Sequence, residues 1–516
     1  MQPTRTTTRI FLAAVFLAFL GLYACTTQRD VNWQDSGVRQ WRILSGDYTG
    51  VEGVALSHPL YIGMAHAFER VCPLGGPLFR LNLFSSLGMA LALTGLALLV
   101  IRLTGSLRAA AGAVLLLGLA HMPWWLASVT EVYTWSLAAV LFELVLLHSL
   151  LTAPRPRTLV ALALVSGIGL SIHDFALLSL PVHLTAAVLL VRRGQLPLRA
   201  LGWGVPAYLV GCSSFLALFA QEALASRSVG AAVSSALFGH AYARQVLGLW
   251  SETIRLAVPN LCLFLLNFAS PCWWLAMAGV CVARRRVAQP FRACLLALTA
   301  IHALFFLRYF VADQAQFALP TLGLLAVWSG IGFAWLLERV ERRRRAALRY
   351  IWNAILLGGL AIAPLVYWGA CQVIVARDLA PHRARALPFR AEVRYWVMPW
   401  KCNEHSAQRC TDAIRAQLEP GALLYADGSV AGPLLATAAA TRRQMSMQLV
   451  SPYDPAAPDV AKLARATPAR PFYVVSPVRG YIPDSLLNGD FVFTKTGVLY
   501  RVTLAASPPV SAQSIP

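Results

Sequence analysis

Trp33, Asp35, Ser36 and Gly37 are followed by His58-Pro59-Leu60-Tyr61 and then by Arg80 and Asn82, all between two apolar runs. Acid and imidazole groups are scarce in this chain, with 23 Asp and Glu and 10 His in all. Ionisable groups at a membrane face are costly and usually serve a function. Asp35 is the sharpest of them. A carboxylate partly withdrawn from water favours its protonated form and can act as a general base. Beside it, Trp33 supplies a rigid wall, Ser36 a hydroxyl and Gly37 a flexible turn. Asp-Ser-Gly is equally good turn or cap chemistry, and on these residues alone both readings stay open. Arg80 stands apart from the other arginines. It points either to an anionic partner such as phosphate or to a side chain snorkelling to headgroups. His58 is suited to donate to a phosphate or sugar hydroxyl, or to make a structural hydrogen bond.

Further polar clusters follow. Trp124-Trp125 precedes Thr130-Glu131-Val132-Tyr133, where Glu131 either binds a sugar, orients a partner or caps a helix facing water. His173-Asp174 carries the same two readings as His58. A segment at 221–256 holds Glu222, Arg227, His240, Arg244, Glu252 and Arg255, and another runs from Arg308 through Tyr309 to Asp313 and Gln314.

Membrane-length elements must position these groups. The chain of 516 residues is 58% hydrophobic and 13% charged, with mean hydropathy +0.60. Soluble domains carry about a quarter charged residues. Apolar runs near 9–26, 82–101, 109–127, 134–151, 158–172, 175–191, 200–220, 257–281, 293–307, 318–338 and 350–372 predict a polytopic α-helical membrane protein. The expected count is about eleven transmembrane helices.

Arginines fall in alternate loops: Arg102 and Arg108; Arg155 and Arg157; Arg192, Arg193 and Arg199; Arg284 to Arg286 with Arg292; Arg339 with Arg342 to Arg345. That is the positive-inside pattern. With Arg5 and Arg9 on the same side, the N-terminus is expected in the cytoplasm and the C-terminus outside. The polar clusters then become exterior loops. The net charge of +21 is mainly topological, with anionic-lipid contact as a by-product. No aromatic-interleaved basic face suggests nucleic-acid binding.

The first run ends Leu22-Tyr23-Ala24-Cys25 and has features of a secretory or lipoprotein signal. Its length, and Tyr23 where a small residue is preferred, favour retention as the first span. Most of the ten cysteines lie in apolar runs as small buried hydrophobes. Cys402 and Cys410 lie close together in the exterior tail, where an oxidising compartment permits a disulfide as readily as two thiols.

The expected domains are a transmembrane domain at 1–372, a linker at 373–400, a small periplasmic α/β domain at 401–506 and a disordered tail at 507–516. In the third, Ala422 to Ala426, Met445 to Val450 and Phe472 to Val475 read as strands. Gly432 to Arg443 and Asp459 to Ala466 read as helices, and Phe491 to Leu504 as a hairpin broken at Thr496-Gly497. A mainly parallel sheet is expected. Asp427-Gly428 falls at a strand's C-terminal end, where such sheets bind ligands; a turn and helix start explains it as well.

The fragments, taken in order, resemble the protein O-mannosyltransferase-like members of the GT-C membrane glycosyltransferase superfamily. That family's first exterior loop carries Trp-x-Asp-Ser-Gly-Glu, then His-Pro-Pro-Gly-Tyr-Pro-Leu-Tyr, then Arg-x-Asn. Matches fall at Trp33, Asp35, Ser36 and Gly37, at His58 to Tyr61, and at Arg80 and Asn82. They continue at Glu131, Val132 and Tyr133, at Gly169, Leu170, Ser171 and His173, and at Asp313, Gln314, Phe317 and Pro320. The likeness covers roughly residues 20–335. Two departures stand out. Val38 replaces the family glutamate, and the His-Pro segment is shortened.

The resemblance implies inverting transfer of a sugar, with mannose a candidate, from a polyprenyl-phosphate carrier to a protein or glycan hydroxyl. The reaction would occur at the exterior face of the inner membrane. It implies Asp35 as base, with Glu131, or else Asp47 or Glu52, supplying the second carboxylate. Trp33, His58, Arg80, Asn82, Tyr133, His173, Arg308, Asp313 and Gln314 are the implied donor- and acceptor-binding residues. Displacement at the anomeric carbon has oxocarbenium character and is helped by stabilising the departing phosphate. No cofactor is required, since the leaving group is already a phosphate; a divalent cation is left open. The rival readings are a lipid-linked sugar flippase or transporter, and a non-catalytic glycan-binding relative that Val38 would favour.

Overall fold

The computed structural model describes residues 3–240, 242–243, 254–309, 311, 313–342, 346–379, 385–453, 459–466 and 469–505. Five helices are long and apolar enough to cross a bilayer: α1 (Arg5–Thr26), α4 (Pro77–Thr104), α7 (Tyr133–Thr152), α15 (Gln289–Arg308) and α16 (Leu319–Glu341). A 3-10 turn over Gln314–Ala318 leads into α16.

Four more pairs reach membrane length only across a bend. They are α5 (Leu107–Gly118) with α6 (His121–Ala127) at 71° and α10 (Arg199–Gly211) with α11 (Ser213–Ser226) at 69°. The others are Asn260–Leu266 of α13 (Ile254–Leu266) with Pro271–Arg285, which contains α14 (Trp274–Val282), at 91°, and α17 (Ala346–Ala361) with α18 (Ala363–Ala376) at 47°. Proline accounts for two bends. Pro271 and Pro364 open the second halves, where a missing N–H and a ring clash end the preceding helix.

Helices α8 (Pro156–Ile172) and α9 (Ala176–Arg192) have 17 residues each. At 1.5 Å per residue that is ~25 Å, short of a ~30 Å hydrocarbon core. The eleven expected runs are thus largely helical. Among the described residues, however, the protein has five spans, or up to nine if each bent pair counts as one. It is a multi-pass membrane protein.

Its helices close up at glycines, since packing in lipid depends on close backbone approach. A methyl on Gly167 of α8 would lie 2.2 Å from the Tyr208 carbonyl oxygen of α10. One on Gly279 of α14 would lie 1.9 Å from the Trp328 carbonyl oxygen of α16.

Two segments expected as loops are partly helical. The first contains α2 (Gln34–Ser45), a 3-10 turn at Val54–Leu56 and α3 (Pro59–Val71); the segment at 221–256 contains α12 (Val229–Phe238). Arg244, Glu252, Pro381, Arg343 to Arg345 and the tail expected at 507–516 lie outside the described residues.

The chain divides into two compact units. One comprises Met1–Arg29, Gly46–Pro381 and Val393–Asn403; the other comprises Asp30–Ser45, His382–Glu392 and Glu404–Pro516. The second unit therefore takes in α2, which composition alone assigned to the membrane part. A short helix, α19 (Glu392–Val397), straddles their boundary in the sequence.

In the second unit, β1 (Leu423–Tyr425), β2 (Gln448–Val450), β3 (Phe472–Val474), β4 (Phe491–Thr496) and β5 (Leu499–Leu504) form one sheet in the order β2-β1-β3-β5-β4. Strand β1 runs parallel to β2 and β3, with Leu424 opposite Leu449 and Tyr473. Strand β5 is antiparallel to β3 and β4, so the sheet is mixed rather than mainly parallel. Leu423, Val450, Ala461, Phe472, Val474 and Leu486 form much of its core, with α20 (Ser406–Gln417), α21 (Gly428–Thr441) and α22 (Val460–Ala466) alongside in the sequence. Asp427 caps α21 by accepting from the Ser429 N–H at 2.9 Å, and it also takes a bidentate Arg385 at 2.5 and 3.0 Å. Cys402 and Cys410 are both free thiols.

Candidate functional site

Trp33 and Asp35 belong to the second unit, where the chain enters α2 through Gln34 at φ 55°. Trp33 is 1% exposed; its indole N–H donates to Ser406 Oγ at 2.8 Å, and Arg390 lies 5.6 Å over the ring. Glu404 in turn accepts from the Ser406 hydroxyl. Asp35 sits in the first turn of α2, where the helix dipole favours a negative charge. Its carboxylate is exposed, so the partial desolvation expected of it is not found.

Close packing fixes this helix. A methyl on Gly37 would lie 2.5 Å from the Asn32 carbonyl oxygen and 3.0 Å from Pro433 Cδ. One on Gly432 would lie 2.7 Å from the Val38 nitrogen. Val38 is 6% exposed and packs against α21.

The other expected site residues belong to the first unit. His58 takes left-handed backbone at φ 50° and leads into α3, whose first residue is Pro59. Its ring stacks on His173 at 4.9 Å and 22°. His173 in turn meets Tyr133 at 5.2 Å and Phe175 at 4.1 Å. Phe317 packs edge-on against Tyr133 at 5.6 Å and against Tyr309 at 4.7 Å. His58 and His173 are both buried. His58, Tyr133 and His173, far apart in sequence, are thus brought into one aromatic cluster.

A polar edge adjoins it. Asp174 Oδ1 lies 2.6 Å from His173 Nδ1, and the Phe175 N–H lies 3.2 Å from the same nitrogen. With a proton on Nδ1 the ring donates to Asp174, leaving Nε2 as an acceptor; without it, Nδ1 accepts from Phe175. A carboxylate-oriented imidazole of this kind is suited to moving a proton or holding a hydroxyl. Burial, then the charges of Asp174 and Asp313, then Tyr242, hold the Tyr309 phenol well above its ordinary range.

Several expected binding residues are engaged within the protein. Arg80 NH1 donates to the Glu69 carbonyl at 2.7 Å and to Glu69 Oε1 at 3.1 Å, while its other nitrogens reach the Gly75 carbonyl at 3.2 and 3.1 Å. It ties the α3–α4 turn together. Asn82 is fully buried, donating to the Gln28 carbonyl at 2.9 Å and accepting from Thr130 at 2.6 Å. Glu131 is 1% exposed, and its backbone is held by Ser85 at 2.9 and 3.1 Å. Gln314 donates to the Phe306 carbonyl at 2.9 Å. Asp313 precedes the turn into α16, and Arg308 is exposed in the last turn of α15.

Phe175, Tyr309, Glu69 and Asn260 were not among the expected site residues. Asn260 fixes the turn before α16 by bonding the Val311 carbonyl at 3.0 Å and the Ala315 N–H at 3.2 Å. Phe175 had one signal, its place two residues after His173. Among the described residues, no cluster of three or more His, Cys, Asp or Glu side chains is arranged to hold a metal.

Neither a protein-family model nor a curated protein sequence matches this chain. Solved structures do. ArnT from Cupriavidus metallidurans bound to undecaprenyl phosphate is 14% identical and superposes with a TM-score of 0.55, covering 97% of this chain and 98% of its own. The same protein in the apo state gives 0.53 at 14% identity, over 96% and 97% of the two chains. The Archaeoglobus fulgidus oligosaccharyltransferase gives 0.47 at 13% identity, over 95% of this chain and 72% of its own, too low to add to the comparison. At such identities the likeness establishes the fold, which is GT-C-like.

Proposed function

We propose that this protein is a membrane glycosyltransferase that moves a sugar, with inversion, from a polyprenyl-phosphate carrier to an acceptor hydroxyl. The observation that carries this reading is the buried cluster of His58, Tyr133 and His173 with Asp174 at its edge, set in a GT-C-like fold. Undecaprenyl phosphate bound to the similar ArnT supports a polyprenyl-phosphate donor.

Residue roles follow from chemistry. Asp35 is the proposed base, because an exposed carboxylate can take the acceptor proton as the oxygen attacks. Glu131 is the proposed second carboxylate. Tyr133 packs on His173 and holds its ring in place, and the His58 and His173 imidazoles are the groups proposed to hydrogen-bond the sugar hydroxyls or the phosphate. As the anomeric bond breaks, charge grows on the departing phosphate; exposed Arg308 is the cation proposed to meet it. Arg80 and Asn82 support the surrounding turns in this reading, as Gln314 does at α15. Trp33 anchors α2, and Asp313 shapes the turn before α16.

Alternating arginine loops support a cytoplasmic N-terminus and a periplasmic C-terminal domain in the inner membrane. Mannose is the proposed sugar, and a protein or glycan hydroxyl the acceptor. The test is transfer of labelled sugar from the polyprenyl-phosphate donor by purified protein in lipid nanodiscs, with Asp35→Asn as the comparison. A second reading, translocation of the lipid-linked sugar, draws on the four bent helix pairs. It requires labelled donor to cross a proteoliposome bilayer without an acceptor becoming glycosylated.

A further inference from the structure

Four helices of the first unit bury a polar group that the proposed transfer does not use. Glu143 of α7 is 1% exposed, and both of its carboxyl oxygens are buried without a hydrogen-bond partner among the described residues. Ser166 of α8 lies one turn before Gly169, on the face of that helix that meets Glu143, and its hydroxyl is 3.2 Å from His183 Nδ1 of α9. His183 Nε2 is likewise buried without a partner. Farther along α9, Ser179 is 3.2 Å from His302 Nε2 of α15. All five side chains are at least nine-tenths buried.

Their depth is informative. Glu143 lies ~15 Å along α7 from Tyr133, at 1.5 Å per residue, well within the hydrocarbon. Ser166, His183 and Ser179 sit on the two helices too short to cross a ~30 Å core unaided, where a bilayer thins to match. A bare carboxylate in that place would lose its hydration without compensation, and intramembrane ionisable groups are retained for function. Gly169 keeps the space beside it open: a methyl there would lie 3.3 Å from Glu143 Oε1.

We propose that Glu143, Ser166 and His183 form an intramembrane proton site, with His302 and Ser179 extending it along α9 and α15. Its ligand is a proton. Once the Ser166 hydroxyl and the Glu143 carboxyl close to hydrogen-bond distance, the carboxyl passes its proton to Ser166 Oγ as the Ser166 hydroxyl passes its own to His183 Nδ1. This leaves a carboxylate and an imidazolium with the serine restored; the reverse step returns the proton. Among the described residues, the Glu143 charge also reaches Tyr208 of α10, which has Cys212 near it, and the His302 charge reaches His183.

The site is read without sugar transfer, so its test is independent of the proposed function. Infrared difference spectroscopy of the full chain in nanodiscs, titrated across the imidazole range, follows protonated carboxyl groups directly. The expected result is a protonated-carboxyl band that Glu143→Gln removes and whose titration shifts by about one pH unit, a tenfold change, in His183→Gln. The proposal is overturned by a band that Glu143→Gln leaves in place. A band governed by sodium or potassium instead of pH overturns it equally. Ser166→Ala keeps both titrating groups should Glu143→Gln fail to insert. In that variant the carboxyl band must stop responding to imidazole ionisation, and an unchanged response refutes the relay.

Discussion

Replacing Gly432 with alanine tests how α2, and with it Asp35, is held. The added methyl would lie 2.7 Å from the Val38 nitrogen, 2.8 Å from Val38 Cγ2 and 3.1 Å from the Gln34 carbonyl oxygen. Two of these atoms are backbone, so no rotamer change relieves the contact. Ordinary contact begins at 3.4 Å, so α2 must move by about 0.7 Å. Overpacking of this kind costs ~1–3 kcal/mol, and the better helix propensity of alanine returns up to ~1 kcal/mol. With the full return subtracted, a net loss of up to ~2 kcal/mol is expected. Thermal unfolding of the full chain in detergent, followed by tryptophan fluorescence, reads it. Because a ~1 Å misplacement of a reacting group can cost ~100-fold in rate, transfer should fall about tenfold. Gly202→Ala is the control, since a methyl there meets nothing within 4 Å. If Gly432→Ala melts at or above the wild-type temperature and transfers sugar at the wild-type rate, the close contact does not position Asp35.

Arg80→Ala should lower stability by ~1 kcal/mol, because the Glu69 ion pair is only partly buried, and a double-mutant cycle with Glu69→Ala should show ~0.5–1 kcal/mol of coupling. Additive effects with a weaker donor KM would instead assign Arg80 to the donor phosphate. Phe175→Ala removes a ring that is 2% exposed and packed on His173 and Phe317, and should cost ~3–5 kcal/mol in unfolding measurements; a loss under ~1 kcal/mol would contradict that packing. Burial, opposed by the nearby Arg385 charge, pushes the Cys410 thiol up to about 12. The folded state therefore binds this proton more tightly than the unfolded chain. The resulting stability is complete below about pH 8.5 and is lost as pH rises toward 12. Alkylation of Cys410 should accordingly need unfolding, while the partly exposed Cys402 reacts in the folded protein; equal labelling of both would contradict the buried thiol.

Much of the second unit was legible because its strands are short apolar runs bounded by turns. The hairpin turn expected at Thr496-Gly497 lies at the observed join of β4 and β5. The membrane part was legible as apolar runs but not as straight spans. Pro271 and Pro364 could be read as breaks, whereas the bend at Gly211-Cys212 depends on packing against Gly167, far away in sequence. Helix α2 escaped notice because its buried face includes Ser36, Gly37, Gln40 and Arg42, so it shows no apolar stripe. At the site, the types and spacing marked His58, Tyr133 and His173 individually. Their stacking is a property of helix packing and could not be read from spacing. Glu143, His183 and His302 are hidden for the converse reason: each has apolar residues on both sides in a run long enough to look like a plain membrane span. In the sequence Val38 reads as a missing carboxylate; its role in packing α2 on α21 depends on Gly432, far away in the chain, lying against it.

The most direct test is to supply purified protein in nanodiscs with labelled polyprenyl-phosphate sugar and membrane-extract acceptors, and to compare wild type with Asp35→Asn. The account predicts label on an acceptor, release of polyprenyl phosphate, and a loss of ~10²–10⁴-fold in the variant, the usual contribution of a general base. Undiminished transfer by Asp35→Asn, or donor that crosses the bilayer while no acceptor gains label, would contradict it.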